Sequence, residues 1–178
     1  LYEAMVRELK TAKYLRPGSK EYKQSLHQAL VLGGLMAHFI GDASMPYHNS
    51  ADHNGYATGN GGIHSYFEMA VPNTETPRLE LAVFEKTPGQ YQGFEIDRRF
   101  NAEAARPAAY LTRELSRQAY ARLPELRHAD DTVILQRSKP GGGGGRKSQA
   151  QRKPAEEAAA VMRPMIEEQL ALSAAILA

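Results

Sequence analysis

The chain has 178 residues, 42% of them hydrophobic, which suits one domain, or one domain with a tail, and excludes global disorder. It has no cysteine, which excludes disulfides, thiolate metal sites and cysteine nucleophiles while leaving the compartment open. Arg137, Lys139, Arg146, Lys147, Arg152 and Lys153 cluster without an intervening acid; setting those six aside from the 22 cations leaves 16 against 20 acids, a net of −4, so the basic character belongs to one segment and gives no argument for a nucleic-acid-binding face on the body.

The chain opens on Leu1 with no signal-peptide pattern after it, and is expected to be a processed product or a fragment. The spacing of Met5, Val6, Leu9 and Ala12 predicts a helix over Tyr2–Leu15, closed by Arg16, Pro17 and Gly18. Ser19 is suited to cap a second helix over Lys20–Gly41, whose stripe of Leu26, Leu30, Leu35 and Phe39 is expected to be deeply buried. Within it, Ala29–Ala37 is the longest apolar run, far short of the roughly 18 residues a membrane span needs. His27 is expected as a core or helix-packing histidine, and Pro46 ends any helical continuation. Asn49–Gly62, rich in Gly, Asn, Asp and Ser, reads as a long loop, and loops of that length in compact domains are functional or disordered.

Helix resumes over Ile63–Ala70. Pro72, Pro77 and Pro88 make Val71–Arg99 read as irregular, with a short strand or helix at Leu79–Phe84. Helix returns over Asn101–Leu123, kinked or broken near Pro107, and His128 beyond it reads as exposed. The glycine run after Pro140 opens a flexible basic linker or exposed loop. The last helical stretch contains Met162, Met165 and Ile166 as ordinary core residues and is interrupted at Pro164. Strand signals are weak throughout, so the fold class is all-α with long irregular loops. The organisation predicted is a helical domain over 1–136, a flexible Gly-rich basic segment over 137–153, and a C-terminal helical segment over 154–178 packed on the domain.

Four of the six histidines fall between His38 and His64, with carboxylates among them. His38 and Asp42, four apart on a predicted helix, share one face, and His64 and Glu68 repeat the spacing. His48 follows the Pro46 break, where the chain can fold back toward the same cavity. Imidazole nitrogen with carboxylate oxygen suits zinc. His48, His64 and Glu68 together offer three ligands and leave a fourth position for water, the pattern of a catalytic rather than a structural site. A single such pair is also what an ordinary helix surface carries; two pairs joined by a proline-broken turn with a further histidine favour metal. Asp52 and His53 in the loop are candidates for supporting groups or substitute ligands, and Tyr56 and Tyr66 for substrate contact or burial. The glycine run lacks the Gly-Lys-Ser/Thr of a phosphate loop, and no Gly-x-Ser-x-Gly elbow is present.

The stretch His38-Phe39-Ile40-Gly41-Asp42-Ala43-Ser44-Met45-Pro46-Tyr47-His48, followed by Gly61-Gly62-Ile63-His64-Ser65-Tyr66-Phe67-Glu68, resembles the zinc-dependent phospholipase C superfamily, which also contains the single-strand-specific nucleases of fungi and plants. The shared pattern is H-x-x-G-D-x-x-x-P-x-H, then H-x-x-x-E or H-x-x-x-D. The resemblance implies a multi-helical phospholipase C-like domain in which His38 and Asp42 ligate one zinc of a close pair, Asp42 bridging to a further zinc. His48, His64 and Glu68 would then hold a separate zinc of the same trinuclear cluster. Of up to three zinc ions in the family, one site is complete in this chain. The others draw ligands from upstream, including an N-terminal tryptophan, and this chain has no Trp, so the resemblance implies that the helical metal-binding domain over 1–136 is incomplete at its N-terminus.

The implied activity is zinc-dependent phosphodiester hydrolysis by a metal-activated hydroxide attacking phosphorus, with Asp42 as the catalytic residue. Glu68, where the nuclease branch usually carries Asp, favours phospholipid over nucleic acid as substrate, with transient contact to a membrane surface. A secreted or periplasmic setting follows from the resemblance alone. Two alternatives stand beside this reading: a non-catalytic truncated or degenerate helical module with one structural zinc, and a nuclease-type phosphodiesterase.

Overall fold

Ser19 Oγ accepts the Tyr22 amide at 3.1 Å, taking up one of the N–H groups that a helix start leaves without a partner, and this cap separates the first two helices. α1 spans Tyr2–Lys13 and α2 spans Lys20–Ser44. The computed structural model describes residues 1–74, 76–95, 107–139 and 148–177. It divides into two compact units, Leu1–Asp42 and Ala43–Ala178.

In the first unit the stripe expected to be buried is not. Leu26, Leu30, Leu35 and Phe39 are exposed, Leu30 to 75% and Phe39 to 55%. The buried positions are instead Ala12, Ser25, Ala29 and Ile40, and a side chain added at Gly33 would meet the Met5 sulfur at 3.5 Å. α2 therefore turns its small residues, four apart at Ser25, Ala29 and Gly33, toward cover, because small side chains let a neighbouring element come close. Ile40 on the same side is buried and Leu32 and Met36 are half-buried, while Leu26, Leu30, Leu35 and Phe39 lie on other sides. His27 is exposed as well, which corrects its reading as a core histidine.

The second unit is built around α8. After α2, a 3-10 turn covers Pro46–Asn49. α3 (Ile63–Ser65) runs through a π-helical turn (Tyr66–Ala70) into α4 (Val71–Asn73). α5 spans Thr76–Glu95, α6 Pro107–Ala121 and α7 Leu123–Val133. β1 (Ile134–Gln136) and β2 (Gln151–Arg152) pair antiparallel, and α8 spans Ala155–Leu177. α8 packs on α4, α5, α6 and α7. Its Ala158, Ala159, Met162, Met165 and Ile166 enter one core with Tyr47, Ile63, Phe67, Val71, Leu79, Leu126 and Val133.

The described part of the chain is thus mostly helical, and the differences from expectation are largely about proline. Val71–Arg99 was expected to be irregular, yet it holds α4 and the 20 residues of α5. Pro72 follows the π-helical turn within the continuous run from Ile63 to Asn73, and Pro77 is the second residue of α5, where a proline removes only an N–H that has no helical partner. Pro124 likewise stands in the first turn of α7, a helix not expected at all. Its buried residues Leu126, Ala129, Asp130 and Val133 have helical spacing, but a carboxylate stands in the stripe. Pro88 and Pro164 do lie inside helices. α8 continues through Pro164 because Met162, Met165 and Ile166 around it are all buried, and that burial outweighs one lost hydrogen bond.

Of the basic segment over 137–153, residues 140–147, on which the flexible-linker expectation centres, lie outside the described residues, as does part of the helix expected over Asn101–Leu123. The described flanks are tied down. Ile134 pairs with Arg152 and Gln136 with Gln151, and Lys139 N–H donates to Ser148 Oγ at 3.1 Å. Among the described residues no helix is long and apolar enough to cross a membrane.

Met162 is fully buried and Leu30 is 75% exposed, and the two make a matched test of this packing. Urea unfolding of Met162→Ala should show a loss of about 2–5 kcal/mol, while Leu30→Ala stays within about 0.5 kcal/mol of the unaltered chain.

Candidate metal centre

The end of α2 and the 3-10 turn after it place the first candidate ligand. Asn49 Nδ2 donates to the carbonyls of Ala43 at 2.9 Å and Met45 at 3.0 Å, groups that a helix end leaves open. Pro46 starts the turn with its fixed φ, and Tyr47 N–H donates to the Met45 sulfur at 2.9 Å. Tyr47 is fully buried and anchors the turn. Burial pushes its phenol pKa up, opposed by the Arg127 guanidinium, whose Cζ lies 5.8 Å from the ring centroid. The next residue, His48, keeps 22% of its side chain exposed.

The loop that follows is ordered by its own polar groups. Asp52 accepts the Ala57 amide at 3.0 Å and the Thr58 hydroxyl at 3.3 Å. Gly55 has φ +74°, and a Cβ there would stand 2.7 Å from the Asn60 carbonyl oxygen, so only glycine fits this reversal. Gly62, at φ +87°, opens α3. Buried Ile63, Phe67 and Val71 fix which face of the α3–π–α4 helix turns inward, and His64 and Glu68 fall beside that face, one turn apart.

Three side chains from these two segments converge. His48 Nε2 lies 2.9 Å from His64 Nε2 and 3.2 Å from Glu68 Oε1, while His64 Nε2 lies 2.8 Å from Glu68 Oε2. The rings meet edge to face with centroids 4.4 Å apart. Neutral imidazoles cannot satisfy all three contacts. If both Nε2 atoms carry hydrogens for the carboxylate, they oppose each other; if one carries a lone pair, that lone pair faces a carboxylate oxygen. A cation between them resolves the conflict, because all three atoms then present lone pairs to it. The donor set, two imidazoles and one carboxylate within 4.8 Å of one another, therefore fits a divalent metal of the borderline kind. Among the described residues it is the one group of three such side chains. The ligands are about one-quarter exposed, which leaves the centre open to small molecules.

The other sequence candidates are placed as follows. His38 and Asp42 form a pair on α2 in the first unit, Nε2 to Oδ2 3.5 Å, with 67% and 35% of their side chains exposed. His53, in the loop, borders the triad: its ring centroid is 5.8 Å from that of His64, and Asn54 Nδ2 lies 3.3 Å from its Nε2. Asp52 serves the loop instead. Tyr56 is overlaid by backbone, since a Cβ on Gly61 would come within 2.6 Å of its ring. Tyr66 donates its hydroxyl to the Lys153 carbonyl at 2.7 Å. Burial raises the Tyr66 pKa, with Arg152 opposing, so the hydroxyl keeps its proton and remains a donor at neutral pH. His128 is exposed.

Sequence reasoning missed Asn60, Asp130 and Arg152, which form a buried polar cluster beside the centre. Asn60 Nδ2 donates to Asp130 at 2.8 Å, and Arg152 Nε meets Asp130 Oδ1 at 2.6 Å with 5% and 0% of the two side chains exposed. The available signal was Asp130 standing in the apolar stripe of α7. Arg152 was masked by its membership of the basic run.

No protein-family model matches the chain, and no curated protein or solved structure shows a significant match to it.

Elemental analysis of the chain purified without added metal should return one divalent ion bound by His48, His64 and Glu68. Replacing His64 with Ala should release it while the circular dichroism stays helical.

Proposed function

We propose that the protein is a zinc-dependent phosphodiester hydrolase that acts on phospholipid headgroups. The observation that carries this reading is the convergence of His48, His64 and Glu68, in donor type and spacing, on one point. Support also comes from the sequence around them, in which Asp42, Pro46 and His48 stand in the register of the zinc-dependent phospholipase C pattern. Zinc held there would supply a Lewis acid for the phosphoryl oxygens and a means of activating water at neutral pH.

The chain's own part is to hold the donors open and aligned. His48 and His64 offer neutral Nε2 atoms, and Glu68 adds one negative charge that offsets the cation without cancelling it, which preserves its pull on an anionic phosphodiester. Buried Tyr47 and Ile63 keep the two ligand-bearing segments from drifting. Partial exposure of the ligands suits a headgroup approached from water better than a sealed structural site would. The motif resemblance makes Asp42 the residue on which turnover depends.

A second reading has an observation of its own. His38 and Asp42 supply two donors, and the triad is the one group of three among the described residues, as a helical module with a single structural zinc would have.

The deciding assay uses the zinc-loaded chain with a chromogenic phosphocholine ester and, in parallel, single-stranded DNA. Ester turnover that is lost on chelation, with DNA left intact, is the expected result. Asp42→Asn should cut that turnover by about a hundredfold or more while the His48 metal stays bound. Zinc bound at full stoichiometry without turnover on either substrate would favour the structural module, and DNA cleavage would favour the nuclease branch.

A further inference from the structure

The two ligand-bearing segments are far from rigid on their own. The Pro46–Asn49 turn has four residues, and α3 begins at a glycine with positive φ after a glycine- and asparagine-rich loop. Something must hold a 2.9 Å separation between His48 and His64 against the entropy of that loop. Within this unit α7 touches both sides. Its Arg127 lies over the ring of Tyr47, beside His48. Its Asp130 binds Arg152 through both carboxylate oxygens, at 2.6 and 2.8 Å.

Arg152 carries the hold onward. Its guanidinium has five N–H groups, and all five have acceptors. Two go to Asp130. Nη2 also donates to the Asn60 carbonyl at 2.7 Å, and Nη1 donates to the carbonyls of Gly61 at 3.1 Å and Ala150 at 3.4 Å. Gly61 is bound from its other side too, its N–H donating to Ser138 Oγ at 2.9 Å and its carbonyl accepting the Ala150 amide at 2.8 Å. Asn60 and Gly61 are the last residues before the α3 cap, and the Asn60 carbonyl also accepts the Ile63 amide at 3.0 Å. Farther along the helix, Arg152 Cζ lies 5.2 Å from the ring centroid of Tyr66, which stands between the two ligands His64 and Glu68. One side chain thus grips the backbone just before the ligand helix and a ring within it.

We propose that Arg152 is a positioning residue for the metal centre: anchored on Asp130, it sets the height and rotation of the helix that carries His64 and Glu68 against the turn that carries His48. This rests on the reading of the triad as a metal centre, though not on the reaction performed there. The planar fork of arginine is required. A lysine at 152 keeps the charge but can reach only one or two of the five acceptors and cannot lie flat against Tyr66.

Cobalt(II) is the probe, read by its visible absorption and by competition with a chelator, at a temperature where circular dichroism shows each variant folded. Arg152→Lys should weaken cobalt binding by about 10–100-fold and alter the band shape, as loss of a group that orients ligands does. Asp130→Asn, which keeps the side-chain shape but loosens the grip on Arg152, should weaken it in the same direction and serves if Arg152→Lys does not fold. Leu172→Ala is the control, a buried loss outside the core of Tyr47 and Ile63 and toward the end of α8 far from Arg152, and should leave affinity within about twofold. Unchanged affinity and spectrum in folded Arg152→Lys, or an equal loss in Leu172→Ala, would overturn the positioning role alone. An unaltered chain that binds no cobalt would overturn the metal centre, and this role with it.

Discussion

A guanidinium and a carboxylate withdrawn from water each lose several kcal/mol of hydration, which their mutual attraction restores only if the remaining donors and lone pairs are matched. Arg152 and Asp130, 5% and 0% exposed, meet that condition through partners on the loop and beside the ribbon: the Asn60 side chain and carbonyl, the Gly61 carbonyl and the Ala150 carbonyl. The pair is therefore tolerable only in one arrangement of loop, ribbon and helix. That makes the pair a source of conformational uniqueness in the second unit more than of net stability. The apolar core around Met162, Leu126 and Ile63 supplies the stability.

The candidate centre lies where this constraint meets an irregular stretch of the chain. A 3-10 turn, a loop with three positive-φ glycines (Gly55, Gly59 and Gly62), and a π-helical turn follow one another between Pro46 and Ala70. Each departs from regular helix, and π-helical turns recur where function overrides optimal backbone geometry. Here Glu68 falls inside the π turn, and its two oxygens address two different histidines. Such close donors are unfavourable in the absence of a cation, and the surrounding structure keeps them together: Tyr47 and Ile63 by burial, Arg152 by hydrogen bonding.

Much of this was legible beforehand, and the limits have physical causes. The His48, His64 and Glu68 set could be read directly, because an i,i+4 pair and a proline-broken turn are local features with local consequences. Ser19 as a cap was equally local. The burial of Leu26, Leu30, Leu35 and Phe39 was misjudged because hydrophobicity says that a face favours cover, not that cover exists. α2 instead turns inward the face of Ser25, Ala29, Gly33 and Ile40. The prolines at 72, 77 and 88 made Val71–Arg99 read as irregular, although a first-turn proline such as Pro77 begins a helix as readily as it ends one. The strand pairing of Ile134 with Arg152 joins residues on either side of a glycine run, and nothing in the local pattern announces it.

The sequence by itself determined the helical class, the donor set of the candidate centre and the loop that separates its halves, since these depend on periodicity, on side-chain chemistry and on residues with restricted or unusually free backbones. Tertiary structure alone decided that His48 meets His64 and Glu68 at hydrogen-bonding distance, that Asp130 is buried, and that Arg152 belongs to the core and not to a solvated basic run. Those outcomes depend on matching charges and carbonyls across some 70 to 90 residues of chain. Such matching is a property of the packed whole, because a buried charge is affordable only where every partner arrives together.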